Sequence, residues 1–164
     1  NPFSFGKFRL YAGRSSYNII EAEISNYFEK LRDDFEAAYY GMYFLEIADF
    51  YTRENNDEKE QLKLLYQSLK ALAFQGMNNR LIRTIFEIKS MVVNGEFPGM
   101  PTQGSYLEST AYAFHYIETA SIEKLYTFQV SDEVLGEMIL VTEKLTKRMW
   151  NYKFNSLEIL DQLQ

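Results

Sequence analysis

The stretch FEAAYYGMYFLEIADFY, Phe35 to Tyr51, decides the fold class, because between Ala37 and Ile47 it carries a single charge, Glu46. A helix of 17 residues is about 25 Å long, and one that is apolar nearly all the way round is enclosed by other helices rather than laid on a surface. The sequence therefore predicts a central, buried helix over 35–51 in a mainly α fold. Its helical period reaches from Leu31 to Arg53, with Asp33 and Asp34 in the first turn, where negative charge suits the helix dipole.

The material around that helix is sufficient to enclose it. The chain has 164 residues, 46% hydrophobic and 24% charged, the composition of one globular domain with a single core. Thirteen Tyr and thirteen Phe make a heavy aromatic load, which fits an aromatic core first and an exposed aromatic groove second. No apolar run reaches the roughly 18–20 residues that cross a bilayer, and no signal peptide opens the chain. A cytosolic protein with no membrane association is expected. Without cysteine there is neither a disulfide framework nor a thiolate nucleophile.

The net charge of -6 is uneven. Residues 1–20 hold Lys7, Arg9 and Arg14 and no acid; residues 21–60 carry twelve acids against four bases; the remainder is close to neutral. An acidic chain is a poor general phosphate binder, so contact with nucleic acid should be local and N-terminal.

Toward the N-terminus, NPFSFGKFRLYAGRSSYNII alternates so that Phe5, Lys7 and Arg9 oppose Phe8 and Leu10, with turn chemistry at Gly13 to Ser16. Two short strands are predicted over 1–20. A pair of strands is marginal alone, and the chain does not begin with Met, so these strands are expected to be the end of a larger β unit. From Glu21 the period reads as helical. A short helix is predicted over Glu21 to Phe28, with Ala22, Ile24, Tyr27 and Phe28 inward.

Toward the C-terminus, ENNDE is a loop, and a helix capped near Asp57 follows with Leu62, Leu65, Leu69 and Leu72 as its apolar stripe. Gly76, Asn78 and Asn79 end it. Leu81 to Val93 is the next helix, apolar at Leu81, Ile82, Ile85, Ile88 and Val92, polar at Arg80, Arg83 and Glu87, and stopped by Asn94-Gly95. EFPGMPTQGSY, Glu96 to Tyr106, is a structureless connection. Helix resumes over Leu107 to Thr119, a turn contains Ile122, Leu125 and Phe128, and Ser131 opens a long helix ending near Lys144, Lys147 and Arg148. A short helix around Leu157 to Leu163 closes the chain. The expected architecture is about six helices around 35–51, preceded by a β remnant, with domain limits at 1–20 and 21–164.

Chemistry-bearing constellations are sparse. The one histidine, His115, falls short of the ligands a zinc site needs, and its reversed spacing to Glu118 does not make the di-metal pattern. Neither metal nor cofactor is expected. Glu46 and Glu87 sit on the most apolar helices and are candidates for proton transfer if they meet in a cleft; the simpler reading ties each to a base or to backbone, Glu87 to Arg83 one turn earlier. The glycines never fall into a phosphate-loop spacing, and there is no nucleophile elbow, so no enzyme is expected. Lys144, Lys147, Arg148 and Lys153 with Trp150 and Tyr152 form either a base-stacking surface or a plain match to a helix C-terminus. Lys63, Lys70, Arg80 and Arg83, on neighbouring helices, are candidates to hold an acidic peptide, against the simpler alternative of a solvated face.

Four segments, NPFSFGKFRLYAGRSSYNIIEAEISNYF, LRDDFEAAYYGMYFLEIADFYTREN, LIRTIFEIKSMVVNG and SLEILDQL, together resemble, in order and spacing, the RecO family of bacterial recombination mediators. That resemblance implies the end of an N-terminal OB-fold followed by an all-helical domain. It implies binding of single- and double-stranded DNA, recognition of the acidic C-terminal tail of single-stranded DNA-binding protein, association with RecR, strand annealing and help in RecA loading, without covalent catalysis. It also implies a bacterial, cytoplasmic, nucleoid-associated location. Lys7, Arg9 and Arg14 are the DNA-binding candidates, and Lys63, Lys70, Arg80 and Arg83 the tail-binding candidates by charge and spacing. The family's Cys-x-x-Cys zinc insertion is replaced after Gly95 by EFPGMPTQGSY, so zinc is not carried over. The rival expectation is a helical ligand-binding or protein-interaction module unrelated to DNA, with Tyr39 to Tyr51 lining an apolar pocket.

Overall fold

The computed structural model describes residues 2–163. Two strands, β1 (Phe5–Ala12) and β2 (Tyr17–Asn26), precede seven helices: α1 (Glu29–Asp33), α2 (Phe35–Tyr51), α3 (Lys59–Phe74), α4 (Asn79–Val93), α5 (Glu108–Thr119), α6 (Asp132–Met149) and α7 (Asn155–Leu163). A single 3-10 turn, Ile122–Lys124, lies between α5 and α6. The fold is mainly α with a short β element, as the hydrophobic pattern predicts.

β1 and β2 form an antiparallel hairpin closed by Gly13 N–H donating to the Ser16 carbonyl at 2.9 Å. Its register runs from Phe5 opposite Asn26 to Ala12 opposite Tyr17, and shifts twice, leaving Ser25 and Ile20 without partners. At the first shift only glycine fits, since a Cβ on Gly6 would stand 2.1 Å from the Glu23 carbonyl oxygen. β2 corrects the helix expected over Glu21 to Phe28, and with it the boundary at residue 20. Ile20, Ala22 and Ile24 alternate with Glu21, Glu23 and Ser25 at period two, and β1 supplies the backbone partners that a lone helix of eight residues would lack. The strand ends where the Asn26 side chain accepts the Phe28 N–H at 2.8 Å and Phe28, buried, turns through φ 49°.

The helix expected from Leu31 to Arg53 is two helices. Asp34 is extended (φ -108°, ψ 107°) and accepts the Ala37 N–H at 3.0 Å, so it is the N-cap of α2 rather than part of its first turn. α2 buries Tyr40, Gly41, Tyr43, Phe44, Ile47 and Ala48, and leaves a narrow outer edge at Phe35, Met42 and Asp49, seven residues apart. Phe3 anchors the base of the hairpin on that helix; its ring would stand 2.8 Å from any Cβ placed on Gly41.

α2 is not the only hub. It packs on α1, α3, α4 and α7, whereas α5 and α6 pack on α4. Every residue from Thr84 to Met91 of α4 is buried, including Glu87 and Lys89. The two hubs meet where Phe44 stacks on Phe86, ring centroids 4.2 Å apart; an alanine in place of either ring costs about 3–5 kcal/mol. In α3 the inward residues are Gln61, Leu64, Ser68, Leu69 and Leu72, and Leu62 is exposed, so the expected stripe is shifted by part of a turn. That helix is not capped by Asp57 directly: Glu58 occupies the cap position, and Asp57 accepts from Lys59 N–H at 3.2 Å. It ends on Gln75, not Gly76, in the left-handed region (φ 56°). Ser131 caps α6 as expected, accepting the Val134 N–H at 3.3 Å.

Candidate nucleic-acid interface

The hairpin is the part of the molecule least covered by the rest. Beyond Phe5, whose ring packs 4.5 Å from Tyr66, both of its faces meet solvent. Phe8, Leu10, Tyr11, Tyr17, Ile19 and Ile20 are all exposed, Ile19 to 65%. Such a concentration of large apolar side chains on one projecting element marks a surface that binds something.

Lys7, Arg9 and Arg14 all lie on this element and all are exposed. Lys7 stands opposite Glu23 and Arg9 opposite Glu21 in the register, and the Arg9 guanidinium lies 3.3 Å from the Glu21 carboxylate. Arg14 is in the turn. Cross-strand acids thus offset two of the three cations, an exposed pairing worth little energetically but enough to set the guanidinium's direction. The tip is tied back to the body by the Tyr17 hydroxyl, which donates to Glu54 in the loop after α2.

The four cations proposed for an acidic peptide are not presented together. Lys63 is paired with Glu123 of the 3-10 turn. Lys70 lies over the Tyr66 ring, 5.7 Å from its centroid, and Arg80 is exposed at the start of α4. Arg83 is drawn inward: its Nε donates to Glu87 Oε1 at 2.9 Å, its guanidinium lies 5.3 Å from the Tyr43 centroid, and Asp161 of α7 stands 3.9 Å away. Tyr43 donates to the same Glu87 oxygen at 2.7 Å. Burial works against the charge on Arg83, but Glu87, Tyr43 and Asp161 together hold its pKa above the ordinary arginine value. Burial, reinforced by the Glu87 charge, pushes the Tyr43 phenol well up. This network is a structural tie among α2, α4 and α7.

Glu46 is likewise committed to backbone: its carboxylate accepts the N–H groups of Asn155 and Ser156 at 2.7 and 3.0 Å, capping α7 from a different helix. The proton-transfer reading of Glu46 and Glu87 gains nothing from this geometry. His115 is on the surface. Trp150 is 5% exposed and donates from Nε1 to the Tyr51 hydroxyl at 2.5 Å, so it cannot stack on a base; Tyr152, exposed, packs on Phe50 and Phe154. The rings of Tyr40, Tyr43 and Phe44 are spent on the core, which removes them from the apolar-pocket alternative. Among the described residues no group of three or more His, Asp or Glu side chains is placed to hold a metal ion, and no helix is long and apolar enough to cross a membrane.

Sequence reasoning missed Lys89. Its ammonium, buried in the core, donates to the carbonyls of Ile117, Glu118 and Ala120 at 3.0, 3.1 and 2.8 Å, closing the C-terminal end of α5. The only sequence signal was a lysine flanked by Ile88 and Met91 in FEIKSM.

The arrangement defines a mainly helical domain whose exposed hairpin, basic and apolar at once, suits the holding of a partner. A family model described as "Recombination protein O C terminal" matches residues 32–101. The chain is similar to the DNA repair protein RecO of Clostridium novyi (strain NT), 25% identical across 99% of this chain and 75% of the relative. It is also similar to that of Clostridium perfringens (strain SM101), 23% identical across 98% and 84%. To that of Alkaliphilus metalliredigens it is 31% identical across 59% and 39%. No solved structure gives a significant match. The chain is thus similar to RecO proteins along nearly its whole length, with the family model matching its first helices. The alignment with the Clostridium novyi relative covers 192 positions against a chain of 164, so at least 28 positions of the relative have no counterpart here.

Proposed function

We propose that this chain acts in recombinational DNA repair as a mediator that holds DNA and remodels its single-stranded-DNA-binding protein coat, without making or breaking covalent bonds. What supports this reading is the similarity to RecO relatives along nearly the whole chain combined with a projecting hairpin exposed on both faces. The hairpin, Phe5 to Asn26, serves as the closing strands of an OB-fold whose remaining strands cover its apolar face. Lys7, Arg9 and Arg14 then face the DNA. The helical domain supplies the partner contacts: the acidic tail of single-stranded DNA-binding protein is met first by Lys70 and Arg80, the two exposed candidates. Lys63 joins them by exchanging Glu123 for a tail carboxylate. RecR association, strand annealing and RecA loading follow from the same reading, in the bacterial cytoplasm close to the nucleoid. The loop over 96–106 takes the place of the zinc-bearing insertion.

The test uses the intact protein. Fluorescence anisotropy with labelled single-stranded and double-stranded DNA should show binding at low salt that weakens steeply as salt rises. A labelled acidic tail peptide should bind separately and lose affinity in Lys70→Glu and Arg80→Glu. Absence of DNA binding at low salt together with absence of tail binding overturns the proposal.

A further inference from the structure

Between α5 and the connecting segment 127–131 runs a groove of about 700 Å³ that is remote in chemistry from the cations above. Tyr112, 70% exposed, and Tyr116 form one wall; Phe128 and Val130, half-buried, form the other, with Ala113 and Val134 buried beneath. The walls are fixed. Tyr116 donates to the Lys124 carbonyl at 3.0 Å and meets Phe128 edge-on, centroids 5.3 Å apart, and the Gln129 side chain is drawn away to the Gly76 carbonyl at 3.3 Å.

Two features point to the occupant. Within the described residues the backbone N–H and C=O groups of Phe128, Gln129 and Val130 make no hydrogen bond and belong to no helix or strand. It is therefore a short run of unpaired backbone beside an apolar trough, with donors and acceptors free to pair with the main chain of another segment. The second feature is charge. Glu108 lines the groove, Asp132 and Glu133 follow Ser131 on its rim, and all three are exposed; no Lys or Arg lines it. A polyanion is repelled from such a surface, and an acidic tail equally. We propose that this groove binds an extended protein segment that alternates apolar or aromatic residues with lysine or arginine, its main chain pairing with the free backbone groups of 128–130. The site does not depend on the repair reading and would stand if the DNA and tail experiments failed.

The experiment presents the intact protein to a display library of random eight-residue peptides, followed by anisotropy titration of the selected sequences. Enrichment of peptides carrying Lys or Arg with aromatic or aliphatic residues is expected. Their affinity should fall at least tenfold in Tyr112→Ala and in the double charge reversal Glu108→Lys with Glu133→Lys. These side chains are exposed, so the variants should keep the parent's far-ultraviolet circular dichroism, with only the double reversal melting slightly lower because both acids sit in helix first turns. A double-stranded DNA competitor should leave the binding unchanged. Enrichment of acidic peptides, no enrichment, or selected peptides whose affinity survives both variants overturns the proposal.

Discussion

Lys89 of α4 and Ala120 at the end of α5 are joined by a buried ammonium-to-carbonyl hydrogen bond of 2.8 Å, and the same nitrogen also serves the carbonyls of Ile117 and Glu118. Helix ends leave carbonyls without partners, and a cation placed there satisfies both their hydrogen bonding and their partial charge. Lys89→Met keeps the aliphatic stem and removes the donor. The expected loss is about 2–4 kcal/mol, since three partly buried acceptors are left unpaired. A urea denaturation midpoint reads it, and an unchanged midpoint would deny the cap its role.

Breaking the network around Glu87 should be costly in one direction only. Glu87→Ala leaves the inward-drawn Arg83 facing the Tyr43 ring without its closest carboxylate, an expected loss of about 3–5 kcal/mol. Replacing both charges, as in Arg83→Met with Glu87→Leu, should recover most of it. A double-mutant cycle of Arg83→Met and Glu87→Leu by thermal denaturation decides: additive losses would mean that the two residues act separately.

Glu46 caps α7 through Asn155 and Ser156. Glu46→Ala should therefore loosen one helix rather than the whole domain. Hydrogen exchange should quicken across 155–163 while α4 keeps its protection, at a global cost of about 1–2 kcal/mol. Uniform quickening across the chain would show that α7 is not separately held.

Three phenols make the fold sensitive to alkali. Burial raises the pKa of Tyr43, with the Glu87 charge adding to it; burial also raises Tyr51, with its bond to Glu96 adding; burial alone raises Tyr126. Each folded value lies above the ordinary 10.0. The folded state therefore keeps protons that the unfolded state gives up. The stability contributed by these groups is whole below the unfolded pKa and is lost as pH climbs above it. Tyrosinate absorbance followed during a pH titration should show Tyr43, Tyr51 and Tyr126 ionising only as the fold is lost. A single smooth titration of all thirteen tyrosines with the fold intact would contradict the burial.

Trp150, the only tryptophan, is packed against Tyr51, Phe50 and Phe154. Saturating single-stranded DNA should leave its fluorescence unquenched. Quenching would return this residue to the list of stacking candidates.

The helical body was legible from periodicity. Phe35–Tyr51, the Asn94-Gly95 stop, the Ser131 cap and the loop after α4 follow from residue type alone. The hairpin's second half was not, because EAEIS satisfies period two and a short helix equally until β1 is seen beside it. The rank of α4 was hidden for a different reason. The i,i+4 pairing of Glu87 with Arg83 was legible, but the burial of Glu87 and Lys89 was not, because Tyr43 and the end of α5 receive them. A single chain displays which side chains are polar, not which partners a distant helix will bring. The candidate site divides in the same way: exposure of Lys7 and Arg9 follows from the alternating strand and that of Arg14 from the turn, whereas the withdrawal of Arg83 depends on residues 43 and 161.

The connection between α4 and α5 has a practical meaning for the molecule. Phe97 lies parallel to Phe114 and Glu96 receives the Tyr51 hydroxyl at 2.7 Å, so the early part of the loop is stitched to the body, while residues 102–105 stand in solvent. Splicing a reporter or an entire folded module between Thr102 and Gln103 would strain none of those stitches. The architecture thus contains a natural port, through which the protein can be lengthened without its helices being disturbed.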